Sequence, residues 1–114
     1  MSDTRLKTTW YYILVSLAAG DRHGLAIARE VLTLSDGRVR LWPATLYGAL
    51  DDLNHRGLIE LIEERRRPID ESERRRYYRI TRGGRAVLTA ETERLAGLVR
   101  VARSRVKPRT GESS

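Results

Sequence analysis

The stretch Leu41-Trp42-Pro43-Ala44-Thr45-Leu46-Tyr47-Gly48-Ala49-Leu50 decides the fold. Proline suits the first turn of a helix, where its missing N–H has no intrahelical partner, so Pro43 opens one here. Leu46, Leu50 and Leu53 then recur at helical spacing as an inward stripe, and Gly57 ends the helix. The opposite face carries Ala44, Gly48, Asp51 and His55, with Thr45 and Tyr47 on its flanks. Small Ala44 and Gly48 let this helix come close to whatever it faces.

Upstream, two more helices are expected. Trp10, Ile13, Leu14, Leu17 and Ala18 share one face of the first, with Thr8 or Thr9 capping its start and Gly20 ending it. The second follows Asp21 or His23 and buries Ile27, Val31 and Leu34. Ser35-Asp36-Gly37 is a turn signal, and Val39-Arg40-Leu41 reads as a short strand.

Downstream of Gly57 the period changes. Ile59 and Leu61 alternate with Glu60 and Ile62 as in a strand, and Arg76 to Ile80 forms a second, in which Tyr78 shares the inward face with Ile80. Between them, residues 65–73 form a hairpin loop too charged to be buried. Thr81 caps a last helix with the stripe Val87, Leu88, Leu95, Leu98, Val99, Ala102 and Val106. The pattern is mainly α with a small β-hairpin. It predicts a winged helix-turn-helix over residues 8–80, a C-terminal dimerisation helix over 81–106 in the same compact unit, and a disordered tail over 107–114.

Composition narrows the function. The 114 residues hold 22 Lys and Arg against 15 Asp and Glu, a formal charge of +7, and 40% of residues are hydrophobic. That suffices for one core, and the basic excess favours a polyanionic partner. With no cysteine, disulfides, thiolate nucleophiles and cysteine-ligated zinc are excluded. The apolar run from Trp10 to Ala19 is too short to span a bilayer, and no secretory signal opens the chain, so a cytoplasmic protein is expected. His23 and His55 are the only histidines and suggest no metal site. Asp51-Asp52 and Glu63-Glu64 read as solvated charge, and Gly83-Gly84 is no phosphate loop. No credible catalytic set, metal site or cofactor motif emerges.

Arg65, Arg66, Arg67, Arg74, Arg75, Arg76 and Arg79 put seven arginines on one hairpin. Arginine grips phosphate through a planar fork, so a wing lying along a DNA backbone is favoured over a merely solvated loop. Thr45 and Tyr47 stand where recognition helices meet base edges; Thr45 is equally a capping residue, and Tyr47 equally a packing residue beside Leu50. Tyr77 and Tyr78 are the kind of residue that stacks on bases; core is favoured for Tyr78, and Tyr77 is left open. Trp10, with Tyr11 and Tyr12, reads either as packing against the last helix in a dimer or as a platform for a planar ligand.

The segments His23-Gly24-Leu25-Ala26-Ile27-Ala28, Leu41 to Leu50, Arg56-Gly57-Leu58-Ile59-Glu60 and Arg75 to Arg85, in this order, resemble the PadR family of bacterial transcriptional regulators. The single helix after the wing is similar to the small subfamily. The resemblance implies DNA binding at an inverted-repeat operator, usually as a repressor, and a homodimer built through Leu88, Leu95, Leu98, Val99 and Ala102. It also implies DNA contacts from Trp42, Thr45, Tyr47, Arg65, Arg66, Arg67, Arg74 and Arg75, and in some members release by a small aromatic effector, for which Trp10 is the candidate. The chain departs from the family pattern at three places: Trp42 replaces a small polar residue, Asp51 and Asp52 replace basic ones, and Leu25 replaces an aromatic. The competing reading is a basic RNA-binding or protein-interaction module without an operator.

Overall fold

In the computed structural model, which describes residues 6–63 and 76–106, the decisive helix runs from Pro43 to His55. The element order is α1 (Thr8–Ala18), β1 (Arg22–His23), α2 (Gly24–Leu34), α3 (Pro43–His55), β2 (Ile59–Glu63), β3 (Arg76–Ile80) and α4 (Arg82–Val106). Leu46, Leu50 and Leu53 of α3 are buried with Ala49, as their spacing requires. They meet Ile13, Leu14 and Leu17 of α1, Ile27 and Val31 of α2, and Ile59, Tyr78 and Ile80 of the sheet in one core. Ser16 is also buried, its hydroxyl satisfied by the Ile13 carbonyl at 2.7 Å.

The hairpin register is Ile59↔Ile80, Leu61↔Tyr78 and Glu63↔Arg76, antiparallel. Its end is pinned to α4 by Thr81. The Thr81 hydroxyl donates to the Gly57 carbonyl at 2.6 Å and accepts from the Gly84 amide at 3.0 Å, which makes it the expected cap. Gly84 lets α4 press directly onto the Leu58 backbone.

Three local expectations need correction. Thr8 and Thr9 lie inside α1, whose N-cap is Lys7 with no side-chain hydrogen bond. Val39-Arg40-Leu41 is not a strand: the free edge of β3 is taken by β1, in the sheet order β1-β3-β2, with Arg22↔Tyr78 and His23↔Tyr77 paired. Val39 and Leu41 still turn inward, as alternation demands, but from an extended loop. Leu34, expected in the core, is 41% exposed. Ser35 is buried in its stead, donating to the Leu32 carbonyl at 3.2 Å and accepting the Val39 amide at 2.8 Å. The tail expected to be disordered, residues 107–114, lies outside the described residues.

Candidate nucleic-acid interface

The amino end of α3 stands clear of the core. Trp42 is its N-cap, with extended backbone at φ −76° and ψ 157° and no side-chain cap, as the missing capping oxygen predicts. Its carbonyl accepts the Leu46 amide at 2.8 Å, so the turn is closed by backbone alone. The indole is 64% exposed, with the Arg40 guanidinium over it at 5.4 Å. Ala44, Thr45 and Gly48 face outward on the next turn. The Thr45 hydroxyl caps nothing, which removes one of its two alternatives. Tyr47 divides its role: it is 45% exposed, yet its ring lies over Gly24, where a Cβ would come within 2.6 Å of the phenol oxygen.

His23 caps the start of α2, its Nδ1 accepting the Ala26 amide at 3.2 Å. The His23 ring stands edge-on to Tyr77, with centroids 5.6 Å apart, which gives Tyr77 a packing role. Between α2 and α3 opens a groove of about 360 Å³, of the size that takes small ligands or side groups. Arg29 and Arg40 are its charged members. Both are exposed, as is Arg38 two residues before Arg40, and sequence reading did not single them out. The signal was present in Arg38-Val39-Arg40, where an inward valine throws both neighbours outward.

The wing candidates Arg65, Arg66, Arg67, Arg74 and Arg75 lie outside the described residues. Two further arginines of the hairpin are described. Arg76 is exposed at the start of β3. Arg79 instead forms ion pairs with Asp21 at 3.4 Å and Glu60 at 3.6 Å, which tie the sheet to the loop before β1. Arg79 is therefore occupied by carboxylates that only folding brings close, unlike the phosphate-seeking arginine expected from the sequence.

On α4, Leu88 packs against the core of its own chain, and Leu95 is half-buried. The outer half is open: Leu98 is 56% and Val106 78% exposed, with Val99, Val101 and Ala102 exposed beside them. Val101 was not in the expected stripe. The helix is held to α1 by a hydrogen bond between the Tyr11 and Thr92 hydroxyls, 2.8 Å apart, and by Arg85 reaching the Ala18 carbonyl at 3.4 Å. Trp10, the candidate effector platform, is 6% exposed and belongs to the core. Lys7 and Arg56 lie over its ring at 4.9 and 4.8 Å, and it does not line the α2–α3 groove. Among the described residues no group of three or more His, Cys, Asp and Glu could hold a metal ion. No described helix is long and apolar enough to cross a membrane.

A helical core that presents the start of α3 to solvent beside a β2–β3 hairpin is a winged helix-turn-helix, here with an added C-terminal helix. The class binds DNA. The chain matches the PadR-like transcriptional regulator family over residues 13–90 and belongs to it. That family is one of transcription regulators, not of enzymes. A transcriptional regulator from Clostridium thermocellum is 28% identical, with a TM-score of 0.68 over 86% of this chain and 92% of that one. A PadR family regulator from Clostridium difficile, 21% identical, shares the fold with a TM-score of 0.72 over 86% and 97% of the two chains. An uncharacterized 37.1 kDa protein in transposon TN4556 of Streptomyces fradiae is 36% identical over 86 residues, 75% of this chain. The match spans only 22% of that relative's length.

Proposed function

We propose that the chain acts as a homodimeric transcriptional repressor that recognises an inverted-repeat operator, one half-site per subunit. The observation that carries this reading is the outer face of α3. Thr45 is exposed and caps nothing, and the space beside Gly48 is empty, so the helix presents hydrogen-bonding chemistry on a surface a groove can approach. In this account Thr45, Tyr47 and Trp42 face base edges. Arg65, Arg66, Arg67, Arg74 and Arg75 hold phosphates from the wing. Arg29 and Arg40 add positive charge at the α2–α3 groove.

Dimerisation is supported by the outer half of α4. An exposed row of Leu98, Val99, Ala102 and Val106 is the kind of patch that monomers avoid. Pairing two α4 helices covers it, carries twice the net charge to the DNA and fixes the separation of two α3 helices. Competition separates this reading from that of a general basic module. Binding to an operator-containing duplex should resist a large excess of random duplex DNA and of structured RNA. Equal competition by all three would leave only non-specific phosphate binding.

A further inference from the structure

We infer that the α2–α3 groove is a thymine-reading surface, in which the Trp42 indole packs against the 5-methyl group of a major-groove thymine. The inference rests on the operator-binding role proposed above and names the chemistry that the first turn of α3 recognises.

Three of the large hydrophobic residues exposed in this fold, Leu25, Trp42 and Tyr47, converge on this one groove. Large apolar side chains gathered at a surface mark a binding site more often than chance exposure. The charged residues lining the groove are Arg29 and Arg40, and no carboxylate lines it. Neither arginine has a carboxylate partner among the described residues. The groove is therefore apolar within and cationic at its edge. Its complement must carry negative charge flanking an apolar group.

Duplex DNA supplies that combination at one base. Thymine presents a methyl group and the O4 acceptor in the major groove, between phosphates. Trp42 offers the matching pair, an apolar ring and a single N–H donor. It cannot accept from the amino group of adenine or cytosine, so it discriminates against both. The Arg40 guanidinium over the indole steadies the ring and adds charge. As N-cap of α3, Trp42 also stands at the end of the helix that enters the groove.

The test uses the full-length protein and a duplex site enriched from a random pool. Each thymine is replaced in turn by 2′-deoxyuridine, which deletes only the methyl group. At one or two positions per half-site the wild-type affinity should fall about fourfold, the loss expected for one buried methyl. Trp42→Ala should bind the thymine and uracil duplexes equally at those positions. Trp42→Leu keeps an apolar surface if the alanine variant folds poorly, and should restore part of the discrimination. The inference is overturned if no thymine responds, or if the response persists in Trp42→Ala. A groove that takes a small amphipathic anion would give the first of these results. Failure of the wild-type protein to enrich any sequence brings down the operator reading as well, which distinguishes the two failures.

Discussion

Gly84 and Gly48 show how two glycines of one chain serve opposite ends. A Cβ on Gly84 would run into the Leu58 carbonyl oxygen and come within 2.8 Å of Ile80 Cγ1. Backbone cannot yield there, so Gly84→Ala should cost about 1–3 kcal/mol of stability in chemical denaturation. Gly48 meets nothing within 4 Å and sits in mid-helix. Gly48→Ala should therefore gain about 1 kcal/mol of stability. If α3 lies against DNA, the same methyl should weaken operator binding; a stabilised variant with unchanged affinity would place that face away from DNA. Tyr78 supplies a pH test. Burial first, then Tyr47 and Asp51, push its phenol above the usual 10.0, against the pull of Arg76. The unfolded chain ionises first, so stability should fall as pH rises past 10 toward the folded value. Tyr78→Phe should flatten this alkaline limb in pH-dependent melting. The inward place of Tyr78 was legible from alternation with Ile80, but the upward push of Tyr47 and Asp51 was not, because they come from α3.

The hairpin and the helix boundaries divide the elements into those that local chemistry dictates and those that it does not. Pro43, Gly57 and Thr81 act within a turn of themselves, and the ends they mark are where the sequence puts them. β1 is different: two residues become a strand only because Tyr77 and Tyr78 arrive alongside. No pattern within Arg22–His23 announces that pairing, and the alternation of Val39 and Leu41 imitates it elsewhere. The site follows the same rule. The exposed face of α3 was readable from its leucine stripe, whereas the convergence of Leu25, Trp42, Tyr47, Arg29 and Arg40 depends on how α2 packs. The wing is tested through salt. Replacing Arg65, Arg66 and Arg67 with Ala should weaken binding to every duplex by a similar factor. It should also reduce the salt slope by about one unit per lost phosphate contact. Unchanged slope and affinity would remove the wing from the interface.

The molecule as a whole measures 67 × 34 × 23 Å, elongated because α4, about 37 Å long at 1.5 Å per residue, extends past the core. The outer half of α4 carries an exposed apolar row that includes Leu98, Val99 and Val106. Leu98→Asp should convert a dimer into a monomer in sedimentation without unfolding the core, since Leu98 is exposed and α4 is anchored by Thr81, Arg85 and Thr92. That monomer should retain weak, non-specific DNA binding. Selection of duplexes from a random pool by the wild-type protein reads specificity and symmetry together. Enriched sites should carry two inverted half-sites, their centres separated by about one helical turn, 34–36 Å, or a multiple of it. Enrichment of single, unpaired half-sites, or of no sequence at all, would contradict operator recognition by a homodimer.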